Sequence, residues 1–440
     1  MKKTSSPRKL GFWMAVALVT GNMIGSGVFL LPASLAPYGL NSLIAWLFTA
    51  AGGIGLAFVF SRLSRAFPRG SGPYAYTRNA FGPMPAFLVA WSYWISCWVG
   101  NAALATAGVS YLEPFIPRIG TTPQVSAALV LAFLWLFTAV NCRGVRAVGW
   151  VQAVTTVLKI LPLLAIAAVG LGTITPTSLS ASAEVPFSFG AVTASATLTI
   201  WALMGLESAT IPSGKVEDPA RTIPRATMLG TVLTTVVYVV VCTTVLILVP
   251  AGRLASSNAP LADVARMFWG ETGATLVALA AAVSAFGALN GWILLQGEVP
   301  HALARDGIFP KVFAQASRAD APVFALVFGS ALVTVLVLLN ASQATVRVFT
   351  FMVLLSTSAA LVVYLVCCLA LLRLWRLGKL VDARRGTVGL AVVGALAGLY
   401  SLWAIAGVGR EAAAWGAVLF ALGAPAYWLM RRADARRPAP

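Results

Sequence analysis

Charge is scarce in this chain. Asp, Glu, Lys and Arg make up 10% of 440 residues, where a soluble domain carries about 25%. That is too little to cover a water-facing surface, so a soluble globular protein is excluded. Histidine is nearly missing: His301 stands alone and cannot anchor a metal site by itself. The cysteines are Cys97, Cys142, Cys242, Cys367 and Cys368, an odd number placed mostly in apolar runs. They fit neither a disulfide framework nor a thiolate cluster. No metal and no cofactor is therefore expected. The basic N-terminus leads into an apolar stretch too long for the core of a signal peptide, so no cleavable leader is expected.

What the chain has is long apolar runs. Hydrophobic residues reach 59%, and twelve runs approach the roughly 20 residues that a membrane-spanning helix needs. They centre on Gly11–Ala33, Ser42–Phe60, Ala86–Tyr111, Val125–Val140, Trp150–Ile174 and Phe189–Ile211. The rest are Thr227–Val249, Ala274–Val299, Val323–Leu339, Val348–Leu372, Val388–Val408 and Ala414–Met430. The fold class expected is an all-α integral membrane protein with twelve transmembrane helices in one domain, residues 1–440. The net charge of +18 does not mark a nucleic-acid partner, because the basic residues sit in short loops between the runs. With the N-terminus inside, inner segments hold 25 of 31 Lys and Arg, including Lys2, Lys3, Arg8, Lys9, Arg62, Arg65, Arg384 and Arg385. Outer loops hold Arg118, Arg253, Arg266, Arg347 and Arg410 alone. This asymmetry predicts both termini on the cytoplasmic side of the membrane.

Two of the runs are interrupted at mid-depth. Asn22-Met23-Ile24-Gly25-Ser26-Gly27 breaks the first, and Trp201-Ala202-Leu203-Met204-Gly205-Leu206-Glu207-Ser208 breaks the sixth. Irregular backbone survives in lipid only where it packs in protein or lines a cavity. Broken helices near the midplane build the substrate sites of many secondary transporters. The competing reading is close packing through small residues. A spacing of five runs between the breaks fits two five-helix repeats, 1–175 and 186–375, followed by two extra helices at 386–432.

Several polar residues lie inside the runs. Glu207 is the one acid placed well within the bilayer. It reads as a proton-linked gate or pH sensor, or else as a structural hydrogen-bond partner for the unwound turn. Lys159 reads as a fixed ammonium in place of a coupling cation, or as a side chain snorkelling to an interface. Tyr93, Cys97 and Asn101 follow at i, i+4 and i+8, with Ser96 close by; they read as a pocket wall or as interhelical hydrogen bonding. Trp201 and Trp292 lie deep in their runs, as packing residues or as faces for a cationic substrate.

Taken together, Gly21 through Pro32, the Tyr93–Asn101 stripe, Val151-Gln152-Ala153-Val154, Trp201 with Gly205, Glu207 and Ser208, and Gly291-Trp292 resemble the amino acid–polyamine–organocation transporters. Within them the chain resembles the basic amino acid/polyamine antiporter group, which includes bacterial arginine/agmatine antiporters. The resemblance implies a five-plus-five inverted repeat with discontinuous helices 1 and 6, in a homodimer. It implies a substrate carboxylate at the backbone N–H groups of Ser26 and Gly27, and an α-amino group at carbonyls near Met23, Trp201 and Met204. It places a guanidinium against Trp201, with Trp292 beside its stem and its tip at Ser96, Cys97, Asn101 and Ser356. Asn22 and Leu104 complete the implied substrate-binding set. Tyr93, Glu207 and Tyr364 match a gating and pH-sensing cluster. The chain departs from the arginine/agmatine pattern at Phe87, Ser96, Leu104, Met204 and, above all, Lys159. The function expected is exchange of a cationic amino acid, arginine, for its decarboxylated amine, agmatine. The alternative is a proton-linked or exchange permease for neutral amino acids that uses Lys159 in place of a coupling cation. An enzyme is disfavoured by the lack of a catalytic cluster. A channel is disfavoured because polar residues gather at the two breaks and form no continuous pore.

Overall fold

A computed structural model describes residues 9–173, 185–257, 259–340, 345–380 and 387–435. Lys2, Lys3, Arg8, Arg384 and Arg385 of the charge pattern, and the expected repeat limits at 1, 175 and 386, lie outside the described residues. The chain is helical. In order come α1 Phe12–Met23, α2 Gly27–Leu35, α3 Asn41–Ala66, α4 Gly72–Phe81, α5 Pro83–Ser110, the short α6 Arg118–Thr121, α7 Pro123–Cys142 and α8 Val145–Thr173. Then follow α9 Phe189–Ala202, α10 Pro219–Leu248, the short α11 Ala251–Ala255, α12 Pro260–Arg305, α13 Val323–Leu339, α14 Thr345–Arg376, α15 Thr387–Gly407 and α16 Arg410–Ala435. Among the described residues there is no strand; one isolated parallel bridge joins Leu10 to Val216. Among the described residues ten spans are long and apolar enough to cross a membrane, the first made of α1 and α2 together, and the shorter α9 and α13 occupy the sixth and ninth apolar runs.

Proline sets many starts. Pro83, Pro123, Pro219 and Pro260 each open a helix, at the position where a missing N–H costs nothing. Two expected runs come out differently. The sixth, expected over Phe189–Ile211, ends as an α-helix at Ala202 and continues through turns into the 3-10 segment Ser208–Thr210. Gly205 causes this: its φ of +104° leaves the right-handed region, and a Cβ there would stand 3.1 Å from Asn22. The eighth extends well beyond Ala274–Val299 because α12 turns at Gly270 (φ 65°, ψ −162°), so residues 260–269 form a separate outer helix.

Burial separates centre from rim. In the first span 89% of an apolar window is buried, against 22% in α15 and 11% in α16. The two broken segments are therefore the core, and the last two helices lie outside it. The end of the bundle near Leu10 is sealed. The Leu10 N–H donates to the Lys215 carbonyl at 2.8 Å, and the Glu217 N–H donates to the Leu10 carbonyl at 2.9 Å. Lys215 Nζ is held by Glu298 Oε1 at 2.6 Å and donates to the Asp320 carbonyl. Nearby, Arg78 pairs with Asp306, which also accepts the Tyr74 hydroxyl at 2.7 Å. Burial and that carboxylate hold the Tyr74 hydroxyl well above the ordinary range for tyrosine. The opposite end holds a cavity of about 560 Å³ lined by Phe29, Tyr111, Glu113, Leu261 and Val277.

Candidate functional site

The first half-helix stops at Met23 and the second begins at Gly27, leaving Ile24-Gly25-Ser26 unwound. A helix end leaves carbonyls without intrahelical donors, and in lipid each needs a partner. Neighbouring helices supply them. Lys159 Nζ on α8 donates to the carbonyls of Gly21 at 2.9 Å, Ile24 at 2.6 Å and Ser284 at 3.2 Å. The Ser284 hydroxyl lies 2.9 Å from the Gly25 carbonyl and 3.1 Å from that of Ile24. Tyr238 donates to the Met23 carbonyl at 2.9 Å, Tyr111 to that of Ser26 at 3.1 Å, and Trp292 Nε1 to that of Asn22 at 3.2 Å. Lys159 is fully buried. The snorkelling alternative therefore fails: the ammonium stays inside, at the negative end of a half-helix.

The second break is organised around Glu207, also fully buried. Tyr93 donates its hydroxyl to Oε1 and Tyr364 donates to Oε2, both at 2.6 Å. The Gly205 N–H donates to the Tyr364 oxygen at 3.3 Å, which leaves the Tyr364 proton directed at the carboxyl. The breaks are tied to each other. Asn22 Nδ2 donates to Ser208 Oγ at 2.8 Å, and the Gln152 amide lies 3.2 Å from Asn22 Oδ1. Gly291 admits Asn22, because a Cβ there would come 1.9 Å from Asn22 Oδ1.

Between the breaks lies a cavity of about 30 Å³. Of the residues expected to bind substrate, Asn22, Met23, Gly27, Ser96, Leu104, Trp201, Met204, Trp292 and Ser356 line it. Gly25 and Gly100 line it too and were not anticipated. The indole of Trp201 lies over Gly27, where a Cβ would meet ring carbon at 2.8 Å. No charged side chain lines the cavity. Ser26, Cys97 and Asn101 do not line it. Ser26 Oγ is buried at the start of α2 without a hydrogen-bond partner. Cys97 sits beside Tyr93 and Glu207. Asn101 Nδ2 donates to Gln296 Oε1 on α12 at 2.9 Å.

The expected pocket face of α5 is thus corrected by one residue. Tyr93, Cys97 and Asn101 do form a stripe at four-residue spacing, but Cys97 and Asn101 each follow a cavity residue by one position, about 100° further around the helix. The cavity face is Ser96, Gly100 and Leu104. Tyr111, Tyr238, Ser284 and Gln296 are site residues that sequence reasoning missed. Their signal was a polar group within an apolar run, with nothing to say which break it serves.

Two discontinuous helices around a small uncharged cavity, inside a bundle of apolar helices, define a secondary transporter. The family model for amino acid permeases matches residues 10–428. The chain belongs to that family. It is a multi-pass membrane transporter of small amino acid or amine substrates and not an enzyme. It is 32% identical over 433 residues to a putative arginine/ornithine antiporter of Bacillus subtilis, covering 90% of this chain and 91% of the relative. It is 34% identical over 340 residues to the cadaverine/lysine antiporter of Escherichia coli, covering 76% of each. It is 30% identical over 427 residues to the putrescine transporter PotE of Escherichia coli, covering 96% of each.

Proposed function

We propose that this chain exchanges a cationic amino acid for a decarboxylated amine by alternating access around the central cavity. The observation that carries the reading is the cavity's polarity. Gly27, which carries the first N–H of α2, lines the cavity, and the buried, unpartnered hydroxyl of Ser26 immediately precedes it in the chain. These are donors at the positive end of a half-helix, the setting that receives a carboxylate. Along the wall lie the Trp201 and Trp292 rings, whose faces attract a cation. The absence of a carboxylate from the lining suits an exchanger, which must release its cation as readily as it binds it. Arginine with agmatine is the pair the sequence pointed to, and the antiport named for the relatives supports the class. On this reading both termini lie in the cytoplasm of a bacterial inner membrane, supported by the loop charges. The paired repeats 1–175 and 186–375 rock about the site.

A second reading follows from Lys159. Its ammonium takes three backbone carbonyls, a ligand set suited to a small cation. A transporter that carries its own cation needs no coupling ion, and a neutral amino acid would then serve as substrate.

Counterflow in proteoliposomes separates the two. Vesicles loaded with an unlabelled cationic amino acid are expected to take up the labelled one, with competition by diamines. Trp201→Leu should lower that uptake at least about fivefold with the protein still folded. Competition by alanine but by no cationic compound supports the neutral reading and refutes the first.

A further inference from the structure

Gln296 sits on α12 one turn beyond Trp292 and is fully buried. Its carboxamide has a direction that can be worked out from its neighbours. Thr138 Oγ1 donates to the Leu134 carbonyl at 2.8 Å. The Thr138 proton is thereby used, so in the 2.7 Å contact between Thr138 and Ser330 the hydrogen comes from Ser330. The Ser330 oxygen then accepts from Gln296 Nε2 at 3.2 Å. This turns Gln296 Oε1 toward α5, where it accepts Asn101 Nδ2 at 2.9 Å. The backbone around Gln296 is fixed as well, since its carbonyl accepts Trp94 Nε1 at 3.1 Å. Gly329 leaves no slack: a Cβ there would come 2.6 Å from the Gln296 side chain. Four side chains from α7, α13, α12 and α5 thus form one directed relay that ends by binding the amide of Asn101 outside the cavity lining.

Asn101 Nδ2 is held by Gln296, and its Oδ1 is buried without a partner; since Asn101 lies outside the lining, the cavity end between α5 and α14 is left to Ser96, Gly100 and Ser356. Ser356 Oγ donates to the Ser96 carbonyl at 2.9 Å. The 3.2 Å contact between the two hydroxyls therefore takes its hydrogen from Ser96. Both serine oxygens keep lone pairs, and neither has a proton left to give. This is a small cluster of neutral acceptors. An ammonium, a compact charge with three donors, matches it; a guanidinium presents five donors in a planar fork and leaves several unpaired.

We propose that Gln296 is a specificity-determining positioning residue. By holding Asn101 off the cavity it gives the Ser96–Ser356 pair the substrate tail and selects diamino acids and diamines over guanidinium compounds. The proposal rests on the cationic-substrate reading above and narrows it to ammonium-tipped substrates.

The test is counterflow with the full chain in proteoliposomes, with labelled ornithine and labelled arginine as probes. Ornithine, lysine, putrescine, agmatine and alanine are the competitors. In the wild type, ornithine or lysine should reach half-inhibition at a concentration about tenfold below arginine. Gln296→Met, which frees the Asn101 amide, should narrow that ratio at least about threefold, an effect that loss of stability alone would not produce. Ser96→Ala should weaken ornithine about tenfold and arginine less, and it carries the test if Gln296→Met is unstable in detergent. A wild-type preference for arginine or agmatine overturns the proposal while leaving cationic exchange standing. Equal losses of ornithine and arginine in Ser96→Ala also overturn it. Competition by alanine alone overturns the cationic reading and this one together.

Discussion

The two helix breaks meet the same physical problem from opposite sides. At the first break, backbone carbonyls from Gly21 to Ser26 are satisfied by donors brought in from three other helices and the cap of α5: Lys159, Ser284, Trp292, Tyr238 and Tyr111. At the second, the segment carries its own acceptor, and Glu207 gathers donors from α5 and α14. The Lys159 side chain thus holds the first, and a carboxyl holds the second. The difference matters because an ammonium bound to three carbonyls keeps one arrangement. A carboxyl between two phenols can exchange donor and acceptor roles when it takes a proton. On the proposed mechanism the first break is the hinge and the second the movable one.

Removing the hinge ammonium should have the largest effect. Lys159→Ala leaves three buried carbonyls short of a charged donor. It should cost on the order of 3 kcal/mol or more and abolish counterflow. Thermal unfolding in detergent is the check, and a melting temperature equal to wild type would end the hinge description. Tyr364→Phe comes next. It deletes a hydrogen bond to a carboxyl and the acceptor of the Gly205 N–H, and should cost about 2 kcal/mol or more. Tyr238→Phe deletes one to a neutral carbonyl and should cost about 1 kcal/mol. Measured side by side, these two substitutions test whether the second break depends on charge, and equal losses would erase the contrast. The smallest effect on stability is expected from Glu207→Gln, which keeps shape and one acceptor. Its readout is transport followed between about pH 5 and pH 8, where the slope should flatten relative to wild type. An undiminished slope would move pH sensing elsewhere.

The breaks themselves were legible in the sequence, because glycine and polar residues at mid-span have few physical excuses in lipid. So were Trp201, Trp292, Ser96 and Ser356 as cavity residues. The cavity face of α5 was misread because Tyr93, Cys97 and Asn101 offered the more conspicuous chemistry, while the true wall includes Gly100 and Leu104, which carry none. Gln296 was missed because a neutral amide in an apolar run has no periodicity to betray it. Its meaning depends on the hydrogen of Ser330, well over a hundred residues from Asn101 in the relay. The failure of a regular helix after Ala202 turned on one backbone angle at Gly205. The seal made by Lys215, Glu298 and Asp320 joins residues 83 and 105 positions apart, a span that local pattern reading does not reach.

The central cavity, at about 30 Å³, has room for one or two water molecules. Such a plug is an electrical insulator. No file of water crosses it, so the membrane potential falls across the layer of protein between the cavity near Phe29 and the sealed end near Leu10. At about 2.3 kcal/mol per charge for each 100 mV, a cation moving past that layer crosses most of the field in one conformational step. The voltage sensitivity of transport then belongs to the reorientation of the loaded site and hardly at all to binding.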